Sequence, residues 1–155
     1  MQQNTKSFLA LSRYLFLLHL IFIFITLLLL TLGRFSLVGP FIYFFILILV
    51  GVRKAHRVKV SPLTVLAAGY LSQLPGIIPA LVIFIEKLLP FNNDAFEFVV
   101  QIWQTPIYPL YPLLPRTSYW DIPLYFLISL TVSFILPLLP AIGACLSAKL
   151  KRTDG

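Results

Sequence analysis

The chain alternates between long apolar runs and shorter polar segments. The first run, Tyr14–Leu32, reaches roughly 28 Å at about 1.5 Å per residue, which is close to the thickness of the hydrocarbon core of a bilayer. Only a helix can pair all its backbone groups within such a run. We therefore expect an all-α integral membrane protein with a single membrane domain, residues 1–155, and four transmembrane helices at about residues 14–32, 40–54, 62–85 and 122–146.

The limits of the second span stay open at the level of the sequence. Pro40 suits the first turn of a helix, but only Phe41–Val52 is free of charge, and this stretch is too short to cross a membrane. Either the helix begins earlier, near Phe35, or it continues beyond the stretch with the cations Arg53 and Lys54 extending toward water.

The third span begins at Ser61 and Pro62, which suit the N-cap and the first helical position. It contains Pro75 and Pro79, each of which removes a backbone donor, so we expect the helix to kink or to unwind locally. One face carries small residues at every fourth position, which lets another helix approach closely. These residues are Ala68, Ser72, Gly76 and Ala80.

The fourth span carries a second series of mostly small residues at every fourth position. Pro137 and Pro140 predict a kink in its second half. Because both series favour close helix approach, we expect spans three and four to form the closest pair, with spans one and two nearer to lipid or to a partner. The second series is Ser129, Ser133, Pro137, Ala141 and Cys145.

Residues 86–121 form a long connection between spans three and four. Asp94 begins a predicted amphipathic helix, which we expect to lie in the outer interface of the membrane. Prolines at every third position from Pro106 to Pro115 match the three-residue turn of polyproline II, so we expect an extended strap at the level of the lipid head groups. Docking of a reader of PxxP motifs is the alternative. The apolar positions of the predicted helix are Phe96, Val99, Val100 and Trp103.

The distribution of charge predicts the orientation of the spans. The formal net charge is +7, and in the predicted topology nine cations lie on one side of the membrane and three on the other. Cationic loops stay in the cytoplasm, so we expect both termini to be cytoplasmic. Two dense groups among the nine, Arg53–Lys59 and Lys149–Arg152, are predicted to contact anionic lipid head groups.

Composition agrees with lipid as the solvent for most of the chain. Hydrophobic residues make up 59% and charged residues 11%, whereas a soluble domain carries roughly 25% charged residues. The cations cluster at the ends of apolar runs, which argues against nucleic-acid binding. Cys145 is the single cysteine, which excludes an intrachain disulfide and a cysteine-based metal site. The first span is too long for the apolar region of a signal peptide, which holds about 7–15 residues, so we expect it to be retained.

The spans contain few residues capable of chemistry. The sequence holds no HExxH, GxSxG or Gly-rich phosphate-loop motif, so we predict no catalytic residue, no cofactor, no metal site and no enzymatic activity. We interpret His19 as a neutral histidine bonded to another helix, with a proton-relay or ligand role, or a Ser72–His19 pair, as alternatives. The candidates for ligand contact or polar packing are His19, Tyr70, Ser72 and Gln73.

These features favour a structural or accessory subunit of a membrane protein complex, bound to another membrane protein or to a second copy of itself. The alternative is a component of a transporter or channel for a small solute or lipid. Its substrate would bind at the Pro75–Pro79 break beside Gln73, because unwound backbone at mid-membrane is a common substrate site in carriers. A holin-like pore is a variant of this alternative. We expect a cell membrane, specifically the bacterial cytoplasmic membrane.

Overall fold

The structure, a computed structural model, describes residues 2–58, 60–86, 94–119 and 122–153. Helices make up nearly all of this part of the chain, and the two short strands pair in antiparallel fashion, with Ser118 opposite Pro123. The order of elements is α1 (Gln2–Leu30), a 3-10 turn (Gly33–Leu37), α2 (Val38–Val58), α3 (Pro62–Glu86), α4 (Asp94–Trp103), a 3-10 helix (Thr105–Leu113), β1 (Ser118–Tyr119), β2 (Ile122–Pro123), α5 (Leu124–Ile135) and α6 (Leu138–Thr153).

Four helical stretches of the described chain are long and apolar enough to cross a membrane, which confirms the predicted number of spans. The fourth stretch comprises α5 and α6 together. The stretches are Lys6–Leu30, Phe35–His56, Pro62–Ile85 and Leu124–Leu150.

The second span extends in both of the directions that the sequence left open. The 3-10 turn that begins at Gly33 leads directly into α2, and α2 continues past the first cations to Val58. Gly33 has a φ of 60°, a left-handed conformation that glycine adopts without steric cost, and this residue reverses the chain after α1. At the other end of the span, the Lys54 ammonium lies 4.8 Å from the centre of the Tyr14 ring, a distance typical of a cation–π contact.

The third span is helical throughout, so the predicted unwinding at Pro75 and Pro79 does not occur. A proline removes one backbone hydrogen bond, and the rest of this 25-residue helix keeps its own. Helix α3 is also supported on several sides, because it packs against α1, α4, α5 and α6. The tertiary contacts therefore outweigh the two lost bonds.

The fourth span is interrupted at Leu136 and Pro137, in agreement with the kink expected from its prolines. The amide of Leu136 still donates to Val132 at 2.9 Å, but Pro137 has no N–H with which to continue the ladder. Pro140 is the third residue of α6, where a backbone donor has no helical partner in any case. The span thus consists of two helices.

The most extensive helix contact joins α2 to α6, so the prediction that spans three and four form the closest pair is wrong. Two glycines allow the backbones to touch. A side chain on Gly51 would overlap the carbonyl of Pro140, and one on Gly143 would overlap the carbonyl of Ile48. The sequence-based prediction considered only residues at every fourth position, and these two glycines belong to neither series.

The segment Asp94–Leu113, which we call the central hairpin, enters the bundle instead of lying across its end. Its first limb is α4 and its second limb is the 3-10 helix. Between them, the carbonyl of Trp103 lies 2.9 Å from the ring of His19. His19 is near the middle of the first span, about 16 Å along the helix from Leu30 at about 1.5 Å per residue.

The position of the central hairpin corrects two predictions. The predicted helix forms from Asp94, but its last residue, Trp103, is buried at mid-depth and not at an interface. The proline-rich stretch is a 3-10 helix and not polyproline II. Backbone that is not α-helical is tolerated at this depth only when protein surrounds it, and four residues of the second limb are indeed buried: Thr105, Pro106, Ile107 and Pro109.

Candidate functional site

Four polar or aromatic side chains meet at the centre of the bundle, one each from α1, α2, α3 and α4. We call this group the central cluster: His19, Tyr43, Gln73 and Trp103. Nδ1 of His19 lies 2.6 Å from the hydroxyl of Tyr43, and Nε2 lies 2.9 Å from the carbonyl oxygen of Trp103. The indole N–H of Trp103 donates to the amide oxygen of Gln73 at 2.8 Å. The amide nitrogen of Gln73 makes a longer contact of 3.4 Å with Nδ1 of His19.

The geometry assigns the protons in the central cluster. A carbonyl oxygen can only accept, so Nε2 of His19 carries a proton and donates it to Trp103. In the neutral imidazole Nδ1 is then an acceptor, and the Tyr43 hydroxyl donates to it. His19 and Tyr43 are both completely buried, where an unpaired polar group would be costly. The buried polar groups of the cluster therefore find their hydrogen-bond partners within the cluster.

Packing as well as hydrogen bonding holds Trp103 in place. Its indole stacks on the His19 ring with centroids 4.3 Å apart, and it contacts Phe16 at 5.7 Å. A side chain at Gly76 would overlap the indole, so the ring packs directly against α3 at this glycine. Gly76 thus serves the contact between α3 and α4, whereas the sequence suggested a contact with span four.

Beside this cluster, the next residue of the hairpin connects it to α5. The amide nitrogen of Gln104 donates to the Ser133 hydroxyl at 2.6 Å and to the Ser129 carbonyl at 3.0 Å. Gln104 is only 2% exposed, and its amide oxygen has no hydrogen-bond partner among the described residues. An unpaired buried acceptor of this kind costs about 1–3 kcal/mol.

Tyr111, farther along the hairpin, reaches the same serine. Its hydroxyl lies 2.7 Å from the Ser129 hydroxyl, which itself donates to the carbonyl of Tyr125. Since that carbonyl takes the Ser129 proton, Tyr111 donates to Ser129. Burial raises the pKa of the Tyr111 phenol to about 12, although the bond to Ser129 acts in the opposite direction. The phenol thus remains protonated and able to donate.

A cavity of about 570 Å³ lies between the second limb of the hairpin and the start of α5. Its lining includes the buried residues Gln104 and Ser129 and the exposed residues Arg116, Thr117 and Ser118. Its walls are largely aromatic and aliphatic, with Tyr108, Tyr111, Leu114, Tyr125 and Phe126 among them. Its volume is within the range of about 300–1,000 Å³ that is typical of small-molecule sites.

The structure brings together two of the four residues that the sequence singled out for ligand contact or polar packing. His19 and Gln73 meet in the central cluster. Tyr70 instead donates to the Phe134 carbonyl at 3.2 Å, and Ser72 donates to the carbonyl of Gly69 at 2.7 Å. The Ser72 hydroxyl is therefore committed to its own helix.

The two series of small residues differ in how far they are buried. All four members of the series on α3, namely Ala68, Ser72, Gly76 and Ala80, are buried. In the fourth span, Ser129 and Ser133 are buried, Ala141 is half-buried and Cys145 is exposed. The interruption at Pro137 thus separates an inward-facing part of this series from an outward-facing part.

Four further residues of these networks were not among the site residues expected from the sequence: Tyr43, Trp103, Gln104 and Tyr111. Tyr43 is the only side chain with a hydrogen-bonding group in Phe41–Val52, and that isolation was a usable signal. Trp103 and Gln104 carried no such signal, because an indole and an amide are as common in a helix at the membrane interface as in a buried polar cluster.

Comparisons of this chain with models of protein families, with curated proteins and with solved structures found no match.

Proposed function

We propose that this protein is a structural or accessory subunit that binds another membrane protein or a second copy of itself. The observation that supports the proposal most is the central cluster. Its polar groups bond to one another and hold the central hairpin between the helices, as expected of a scaffold. Interaction would then take place at the surface of the bundle.

We infer that α6 provides the interaction surface, because one of its faces carries small side chains. Ala141, Cys145 and Ala148 follow one another at intervals of four and three residues, which places them on one helix face. Cys145 and Ala148 are exposed and Ala141 is half-buried. Small side chains let a partner helix approach closely, an advantage that packing against lipid does not require.

We infer an orientation with both termini in the cytoplasm. The count of nine cations against three supports it, and four spans place both termini on one side of the membrane. The basic segments Arg53–Lys59 and Lys149–Arg152 would then face the anionic inner leaflet of a cell membrane, which we take to be the bacterial cytoplasmic membrane. The entrance of the 570 Å³ cavity would face outward.

The transport alternative loses its main support. Its proposed substrate site required unwound backbone at Pro75 and Pro79, but α3 is helical there. Gln73, the candidate for ligand contact beside the break, accepts a hydrogen bond from Trp103 through its amide oxygen.

Site-specific crosslinking in the native host tests the proposal. The photo-crosslinking amino acid benzoylphenylalanine is placed at position 145 on α6 and, as a control, at position 28 on α1, where Leu28 is 70% exposed. We expect a defined crosslinked polypeptide, or a crosslinked dimer, from position 145 only. Adducts with lipid alone from both positions would contradict the proposal.

Two substitutions test whether close approach matters. Cys145→Leu with Ala148→Leu should lower the recovery of the crosslinked partner in co-purification by about tenfold or more, because bulky side chains hold the helices apart. Leu146→Phe, also on exposed surface of α6, is the matched control and should leave recovery unchanged. Equal recovery from both variants would show that this face of α6 is not the interface.

A further inference from the structure

We propose that the cavity between the central hairpin and α5 is a water-filled vestibule, through which small hydrophilic solutes reach the middle of the membrane. Two observations carry the proposal. A polar side chain without a partner among the described residues lines the cavity at this depth, and the cavity is large enough to hydrate that side chain. The proposal depends neither on the accessory role nor on the orientation of the chain in the membrane.

Gln101 is the polar residue that lies at this depth. It precedes Trp103 by two residues in α4, which is about 3 Å along the helix axis. The carbonyl oxygen of Trp103 lies 2.9 Å from the ring of His19, near the middle of the first span. The backbone of Gln101 is therefore close to the middle of the membrane.

The side chain of Gln101 needs hydrogen-bond partners from outside the bundle. Its backbone carbonyl accepts from the Thr105 hydroxyl at 3.3 Å, but its side-chain amide has no hydrogen-bond partner among the described residues. The side chain is exposed, and it lines the cavity. A primary amide can donate two hydrogen bonds and accept two, and it is costly to leave them unmade in hydrocarbon. Water in the cavity would supply the missing partners.

The cavity has the space and the further polar groups that water requires. Its volume of about 570 Å³ accommodates on the order of ten or more water molecules at about 30 Å³ each. The Tyr108 hydroxyl, on the second limb of the hairpin, also lacks a hydrogen-bond partner among the described residues, and Tyr108 is 47% exposed. The carbonyl of Pro112 has no 3-10 donor, because residue 115 is another proline. Backbone that is not α-helical is tolerated within a membrane where it lines a water-filled cavity.

The lining of the cavity also includes polar residues at the end of the bundle. Arg116, Thr117 and Ser118 are exposed and line the cavity. They precede the fourth span, which begins at Leu124. The cavity is therefore continuous with a polar surface at the end of the bundle, from which water can enter.

The surface of α4 beside Gln101 has the opposite character. Phe98, Val99 and Ile102 are exposed and apolar, and none of them lines the cavity. These three side chains suit contact with lipid, whereas Gln101 does not. Helix α4 therefore presents one edge to water and another to lipid, and adjacent residues of the same helix can distinguish the two environments.

The reactivity of cysteines with a hydrophilic reagent tests the proposal. Methanethiosulfonates react with the thiolate, whose formation apolar surroundings suppress. Gln101→Cys and Ile102→Cys are each made in a Cys145→Ser background, and the full-length proteins in phosphatidylcholine nanodiscs are treated with 2-(trimethylammonium)ethyl methanethiosulfonate. Both faces of a nanodisc are open to the reagent. We expect position 101 to react about tenfold or more faster than position 102, and exposed Ser61→Cys to give the rate of a hydrated site.

Either of two other results would overturn the proposal. Slow reaction at both positions would show that lipid or another apolar occupant fills the cavity, and equally fast reaction at both would show that this part of α4 does not lie in hydrocarbon. Tyr108→Cys, on the other limb of the hairpin, gives a second measurement and should react as fast as position 101. If Gln101→Cys does not fold, the comparison of Tyr108→Cys with Ile102→Cys decides the question.

Discussion

Gly76 and Trp103 show how one absent side chain can position a whole segment. The indole occupies the space that a side chain at residue 76 would fill, and from there it stacks on His19 and donates to Gln73. The carbonyl of the same tryptophan accepts from His19. A single residue of the hairpin thus uses its ring, its N–H and its backbone to contact two helices.

Gly76→Leu is therefore expected to displace the tip of the central hairpin. Overpacking of this kind costs about 1–3 kcal/mol, and the loss of the hydrogen bonds to Gln73 and His19 adds to it. In a Trp120→Phe background, the fluorescence of Trp103 should become more accessible to acrylamide or to brominated lipid, and the thermal midpoint in detergent should fall. Ala67→Leu, at an exposed position of α3, should change neither. Comparable changes in both variants would contradict this role of Gly76.

At the scale of helices, the contact between α2 and α6 fixes the second and fourth spans to each other. Gly51 and Gly143 bring each backbone against a carbonyl of the opposite helix, at Pro140 and Ile48. The larger apolar core extends from this contact. It consists of Leu11, Leu15, Phe22, Tyr43, Leu47, Val50, Val65, Ala68, Leu136 and Ala144.

Gly143→Val should separate α2 from α6. The new side chain meets backbone atoms that cannot rotate away, so we expect the thermal midpoint to fall and the free energy of unfolding to drop by about 1–3 kcal/mol or more. Ala67→Val adds bulk at an exposed position of α3, outside the proposed interaction face, and serves as the control. If the two variants are equally stable, the close approach at Gly143 does not contribute to stability.

In the proline-rich limb, the sequence does not distinguish a 3-10 helix from polyproline II, and the reason is physical. A 3-10 helix has 3.0 residues per turn and polyproline II also has three, so prolines at every third position are compatible with both. The difference lies in backbone bonds, such as those from the amides of Ile107 and Tyr108 to the carbonyl of Gln104. These bonds depend on burial of the limb against α1 and α2, which no local pattern reveals.

The spans were predictable because length and polarity determine them, whereas the pairing of the spans was not. Helix contacts depend on which faces meet, and the closest approach came from two glycines outside the repeating series. The same holds for the central cluster. His19 and Gln73 were identified because polar residues are rare in apolar spans, but their partner Trp103 comes from a segment that could equally have stayed at the surface.

At the scale of the whole molecule, the proposed orientation makes a direct prediction. In a Cys145→Ser background, Thr117→Cys should react with a membrane-impermeant maleimide in intact cells. Ser61→Cys, next to the basic segment Arg53–Lys59, should react only after the membrane is opened. Both native side chains are exposed, so accessibility reports the side of the membrane and not burial. The reverse pattern of labelling would contradict cytoplasmic termini.

The hydrogen bond between His19 and Trp103 also has a consequence for biosynthesis. The two residues are 84 positions apart, so a nascent chain that already contains the first three spans still lacks the tryptophan. Until the hairpin is synthesised and inserted, Nε2 of His19 and the amide oxygen of Gln73 lack their partner Trp103, and unpaired polar groups are costly in hydrocarbon. The bundle is therefore completed late in translation, and truncated chains that end before residue 103 are expected to be substrates for membrane-protein quality control.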